Sequence, residues 1–202
     1  KVRRLTQPML QQLTWLLAQD IATQQRYVNL GLDQAKSQVV GNIKFDIAAP
    51  QHYIQQAEQL KQHWQLLDRQ VITLASTHSP EEENLLRQLQ PHLNANPNLL
   101  CIVVPRHPER FDKVADLVAK QSFSIARRSQ QQAITPEVSV FLGDSMGELL
   151  LWFALADVAF VGGSLVNVGG HNPLEPAALA VPIVTGMTMF NLDRKSTRLN
   201  SS

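Results

Sequence analysis

Phe160-Val-Gly-Gly-Ser-Leu-Val-Asn-Val-Gly-Gly-His-Asn-Pro-Leu-Glu-Pro-Ala-Ala-Leu179 is the stretch whose reading decides the fold. An apolar strand runs into two glycine pairs, Gly162-Gly163 and Gly169-Gly170, and then into a helix start. Asn172 reads as the N-cap, Pro173 as the first helical residue and Glu175 as an acid in the first turn. Glycines admit a ligand close to the backbone, and a helix N-terminus offers unpaired N–H groups with partial positive charge. Such a junction suits a phosphate on the amides and ribose hydroxyls on Glu175.

Working outward, apolar runs alternate with amphipathic helical patterns. Strands are expected at 71–75, 99–104, near 123–126, at 138–142, 157–161 and 181–185. Between them, helices are expected over 51–66, from Ser79 to about Leu93, over about 108–121, over 147–155 and after Asn172. Ser79-Pro-Glu-Glu82 has the form of a capping box with proline at the first helical position. Strands apolar on both faces belong to a parallel sheet covered on both sides. The fold class is therefore α/β, a Rossmann-like doubly wound parallel sheet, with its ligand site where strands end and helices begin. Before about residue 48 the texture differs. A helical stretch, an apolar run Trp15–Ala18, a second helix through Tyr27 that stops at Gly31 and a short strand beginning near Gln38 precede a linker, Ala48-Ala-Pro50.

Composition narrows the function. The 202 residues are 44% hydrophobic and 17% charged, with a net charge of +1, which gives no electrostatic case for nucleic acid. The lone cysteine, Cys101, lies in an apolar strand and reads as a buried thiol in a reducing compartment. No apolar run approaches the roughly 20 residues that span a bilayer. Dinucleotide-binding and Walker A patterns are both missing.

Four loops at one sheet edge carry the candidate chemistry. After the first strand come Thr77 and His78, read either as cap and surface loop or as a polar wall facing a phosphate or sugar. After the second, Pro105 and Pro108 flank Arg106, whose guanidinium suits a phosphate or a base. After the third, Gly143 permits a sharp turn, Asp144 or Ser145 can cap, and the amides of Met146 and Gly147 stand at a helix start. Glu148 serves there either the helix dipole or a nucleotide. The fourth is the glycine-rich loop, where His171 could contact an anion; no second His or Cys stands at metal-ligand spacing.

Gly41–Asp46, Ala75-Ser-Thr-His78, Val104-Pro-Arg-His-Pro-Glu-Arg-Phe111, Gly143-Asp-Ser-Met-Gly-Glu-Leu149 and the glycine-rich stretch together resemble the bacterial Kdo transferases, in order and spacing across about residues 10–192. Kdo is an acidic eight-carbon sugar. The resemblance implies the C-terminal domain of an inverting GT-B glycosyltransferase, truncated here, that transfers Kdo from CMP-Kdo to a lipid A precursor in lipopolysaccharide assembly. It implies work at the cytoplasmic face of the inner membrane, with no metal or other cofactor. Residues 1–48 would be the remnant of the N-terminal acceptor domain and the linker, and 49–192 the nucleotide-sugar domain. The tail 193–202 would be non-native or disordered. The acceptor site, catalytic base and membrane anchor would lie in the missing N-terminal portion, so the chain itself would be soluble and inactive and would hold no catalytic residue. Carried over by motif, the CMP-binding positions are Pro105, Arg106, Met146, Gly147, Glu148, Asn172, Pro173, Leu174 and Glu175. Asn167-Val168 departs from the charged or proline-containing pair common in that family. The competing readings are a GT-B enzyme using another nucleotide sugar, such as a UDP-sugar, and a standalone nucleotide-binding module.

Overall fold

The computed structural model describes residues 2–41 and 51–190. The chain divides into two compact units, Lys1–Ile47 and Ala48–Ser202. In the first, helix α1 (Val2–Gln11) precedes strand β1 (Leu16–Ala18), helix α2 (Ile21–Asn29) and strand β2 (Ser37–Val39). The two strands pair in parallel, Leu16 opposite Ser37. Asp20 caps α2 by accepting from Thr23 N at 2.6 Å. Gly31, at φ 111°, takes the left-handed conformation that ends it, as the sequence predicts. The second half of the expected strand-and-turn Gln38–Asp46, from residue 42 on, and the tail 193–202 lie outside the described residues.

The second unit runs α3 (Gln51–His63), β3 (Gln70–Thr77), α4 (Glu81–Ala95), β4 (Leu99–Pro105), α5 (Phe111–Lys120), β5 (Ile125–Arg127), β6 (Val140–Leu142), α6 (Leu149–Leu155), β7 (Val158–Val161), α7 (Leu174–Ala178) and β8 (Ile183–Thr185). The six strands β3–β8 form one sheet in the order β5-β6-β4-β3-β7-β8, every neighbour parallel. Strand β4 shows why. Leu100, Ile102 and Val104 join one core with Trp64, Leu151 and Trp152 of the α3/α6 side. Leu99, Cys101 and Val103 join the other, with Leu86 and Leu93 of α4 and Val114 and Val118 of α5. Both faces of the strand are buried, so its sequence is a continuous apolar run instead of an alternating one. Burial pushes the Cys101 thiol up to about 12, as expected of an inert core residue.

The chain leaves β3 towards β4 on one side, and later returns to β7 on the other. The point where the order reverses lies between β3 and β7, and open parallel sheets bind ligands beyond the carboxyl ends of strands at such a point. Glycine makes this crossing possible. A Cβ on Gly162 would lie 2.5 Å from the Ser76 carbonyl oxygen and 2.7 Å from Thr77 Cα. Gly162→Ala is therefore expected to force the two strand ends apart and to cost about 2–3 kcal/mol. Urea unfolding would register this as a lower midpoint at unchanged m.

Candidate functional site

Four loops meet at the carboxyl edge, and buried charges shape them. The Glu81 side chain is 1% exposed. Its Oε2 accepts from His78 N at 2.9 Å and Gly163 N at 2.8 Å; its Oε1 accepts from Ser164 N at 3.1 Å and Leu165 N at 2.9 Å. One carboxylate thus ties the loop after β3 to the loop after β7. Glu82, 2% exposed, takes a bidentate pair from Arg110 at 2.7 and 3.0 Å. The capping-box reading of Ser79–Glu82 is corrected by this. Pro80 stands at the N-cap without a side-chain bond, because Glu82 turns to Arg110 instead of back to Ser79. A buried carboxylate must be paired, and a guanidinium does so better than one amide.

Several amides of the glycine-rich loop are engaged within the protein. Besides the three held by Glu81, Gly162 N donates to Ala75 O, Gly170 N to Gly163 O and His171 N to Gly162 O. At the start of α7 the cap shifts by one residue: Pro173 is the N-cap and the helix begins at Leu174. Asn172 still does a cap's work, its Oδ1 accepting from Leu174 N at 3.2 Å. Glu175 is held only loosely, by Asn172 Nδ2 at 3.5 Å.

The loop after β6 is clamped at both ends by consecutive arginines from β5 and the residue following it. Asp144 accepts from Arg127 Nε at 2.7 Å, Ser129 N at 2.8 Å and Ser129 Oγ at 2.6 Å. Burial raises the Asp144 carboxyl, but the Ser129 and Arg127 bonds outweigh it and the net shift is downward. Glu148 accepts from Arg128 at 2.6 and 3.0 Å and from Ser145 Oγ, and the Arg128 bond holds its carboxyl below the usual range. Neither Asp144 nor Ser145 caps α6, since both are engaged here. Between the clamps, Met146 N and Gly147 N donate to no other described residue, Gly147 stands at φ 81°, and Met146 is 65% exposed.

Arg106 follows β4 with its own N donating to Thr77 O at 3.0 Å; its exposed guanidinium has no ion-pair partner among the described residues. Beside it, His78 and His171 bring their Nε2 atoms to 2.7 Å, and His107 meets His78 edge-on at 5.2 Å. Burial lowers the His171 ring to about 4, and the charges of His78 and Arg106 push the same way. The structure thus places Pro105, Arg106, Met146, Gly147, Glu148, Asn172, Pro173, Leu174 and Glu175 at or beyond the carboxyl ends of three strands, β4, β6 and β7, of one sheet edge. Glu81 and the two β5-side arginines were missed by sequence reasoning. The signal available was two adjacent acids, Glu81-Glu82, directly after the loop that faces a glycine pair. Among the described residues no group of three His, Cys, Asp or Glu could hold a metal ion. A crevice of about 590 Å³ lined by Leu67, Arg69, Val71, Leu99 and Asp157 lies at the opposite, amino-terminal edge, remote from these loops.

Comparison with known proteins agrees with this geometry. Residues 1–47 match the family model described as 3-Deoxy-D-manno-octulosonic-acid transferase (kdotransferase). The chain is 52% identical to the crystal structure of the C-terminal CMP-Kdo binding domain of WaaA from Acinetobacter baumannii, with a TM-score of 0.70 over 72% of this chain and 76% of that one. It is 44% identical over 95% of its length to the 3-deoxy-D-manno-octulosonic acid transferase of Haemophilus influenzae, covering 44% of that protein. The Bordetella pertussis transferase is 37% identical over 76% of this chain and is covered for 36% of its length. The chain therefore spans less than half of the curated relatives it matches. The larger unit is a Rossmann-like parallel-sheet domain, similar in fold to that CMP-Kdo binding domain. The chain belongs to the 3-deoxy-D-manno-octulosonic acid transferase family.

Two outcomes follow for stability. Glu81→Gln leaves one acceptor oxygen and adds an NH2 facing the same amides, and is expected to cost about 2–4 kcal/mol. At about 2–4 °C per kcal/mol for a chain of this size, calorimetry should show the melting point fall by several degrees. The His171 ring binds its proton less readily folded than unfolded, so it contributes stability above its ordinary 6.5 that is lost as pH falls towards about 4. Urea titrations of His171→Gln should show a shallower loss over that window.

Proposed function

We propose that this chain is the donor-nucleotide portion of an inverting glycosyltransferase that moves Kdo from CMP-Kdo to a lipid A precursor in lipopolysaccharide synthesis. The observation that carries the reading is its 52% identity to a domain described as binding CMP-Kdo, coupled with Arg106 at the carboxyl edge of the same sheet, without an ion-pair partner among the described residues. The acceptor is reached through the N-terminal domain, to which residues 1–48 belong, and the parent enzyme works at the cytoplasmic face of the inner membrane. No described helix is long and apolar enough to cross a membrane.

Residue roles follow from what each group has left to give. Arg106 and the amides of Met146 and Gly147 are uncommitted donors, and they meet the phosphate. Glu81, Glu82, Asp144 and Glu148 are each committed to amides or arginines. Glu175 keeps its acceptor capacity and takes the ribose hydroxyls. Asn172, Pro173 and Leu174 shape that turn, Pro105 aims Arg106, and Glu148 acts by holding its loop open. As the sugar–phosphate bond breaks, negative charge grows on the departing CMP. Donors fixed at that position stabilise the transition state more than the ground state. In this scheme those donors, without a metal, meet the charge. Attack by the acceptor hydroxyl needs a general base; in this scheme Glu175 is taken up by the ribose and Glu81, Glu82, Asp144 and Glu148 by amides or arginines, so the base belongs to the acceptor side.

Titration calorimetry with CMP is the test. Arg106→Ala should weaken binding about tenfold and Glu175→Ala about fivefold. A double variant that binds CMP like the wild type would remove the assigned pocket.

A further inference from the structure

Two histidines contributed by different strands meet at the reversal point of the sheet. His78 follows β3 and His171 follows the glycine loop after β7, 93 residues later. Their rings are nearly coplanar, 7° apart, and joined Nε2 to Nε2 at 2.7 Å. Such a contact requires one proton between the two nitrogens. In the neutral pair one ring donates through Nε2–H and keeps a bare Nδ1; the other accepts and carries its proton on Nδ1. Neither Nδ1 bonds another described residue. One further proton converts the bare Nδ1 into a second N–H and gives the pair a positive charge.

The surroundings decide when that proton is held. Arg106 and His107 from the β4 loop and Arg110 from the turn after it bring positive or protonatable groups. Glu81 and Glu82 of α4 are the facing acids, but one is saturated by four amides and the other by Arg110. The empty cluster therefore disfavours the extra proton, and burial lowers both rings from their ordinary value. An arriving oxyanion reverses the balance. Gly163 lets the His171 ring pack this close: a Cβ there would lie 3.1 Å from the ring.

We infer that His78 and His171, beside Arg106, form an oxyanion subsite that takes up a proton from solvent when it is filled by the donor's phosphate or by the carboxylate of its acidic sugar. The inference rests on the donor-binding reading and adds to it a second, protonation-linked anion contact. Because the rings charge more readily in the complex than in the empty site, affinity for that anion rises as pH falls below neutrality towards the empty site's own protonation.

The experiment is calorimetry of the chain near pH 7.5 in two buffers of different ionisation enthalpy, with cytidine, CMP and free Kdo as separate probes. Uptake of about half a proton per site with an anionic probe, and none with cytidine, is the expected result. Uptake with CMP assigns the phosphate; uptake with Kdo alone assigns the carboxylate. CMP's own second ionisation lies near pH 6 and would release protons on meeting Arg106, the opposite sign. His171→Gln and His78→Gln should each abolish the uptake and weaken that probe about tenfold. CMP binding without proton uptake, together with no uptake from Kdo, overturns the subsite and leaves the nucleotide reading standing. CMP failing to bind while Kdo binds with uptake does the reverse. Binding of neither anion sinks both. The wild-type measurement needs no variant, so a poorly folding substitution cannot mask the answer.

Discussion

The carboxylate of Glu81 is the interaction on which the site's shape depends. Four backbone N–H groups converge on it from two loops that enter the edge on neighbouring strands. A charged acceptor within reach of several amides is held strongly in a buried setting, and an unpaired one there would be costly. The consequence is a division of labour along the edge. The glycine-rich loop is folded by an acid of the protein itself, with the Gly163, Ser164 and Leu165 amides turned onto it. In the loop after β6 the acids are satisfied mainly from outside the loop, by Arg127, Arg128 and Ser129, and the Met146 and Gly147 amides donate to no other described residue.

Charge placement then explains why so few groups remain for a ligand. Asp144, Glu148, Glu82 and Glu81 are the acids an observer would first suspect of chemistry, and each already has its partners. What is left uncommitted is cationic or neutral: Arg106, the amides of Met146 and Gly147, and the histidine pair, with Glu175 as the one loosely held acid. An edge with that residue set favours an anionic nucleotide with a hydroxylated sugar over a cation.

Much of this was legible in the order of residues. The continuous apolar run Leu99–Val104 announces a strand buried on both faces, and the glycine pairs announce close backbone contact, which Gly162 makes with Ser76 and Thr77. The four loops could be placed on one edge because alternation of strand and helix leaves little else. What could not be read was which side chain answers which. Glu81 reaches residues 82 to 84 positions away, Arg110 reaches Glu82 across 28, and Arg128 reaches Glu148 across 20. Local rules offered a nearer partner for Glu82, the capping box with Ser79, and tertiary proximity overrode it. The N-cap shift from Asn172 to Pro173 is smaller, since the Asn172 side chain still accepts from the first turn.

Strand β5 gives the site an unexpected dependency. It is three residues long and hydrogen-bonded on one side only, to β6. Rim strands of this kind are among the parts a sheet releases most readily. Yet Arg127 within it and Arg128 just beyond it grip the first and last acids of the turn that presents Met146 and Gly147. Fraying at the periphery would therefore slacken the mouth of the cleft before the central strands moved at all. The setting of that turn and the integrity of the sheet's outermost seam are, in this fold, one variable.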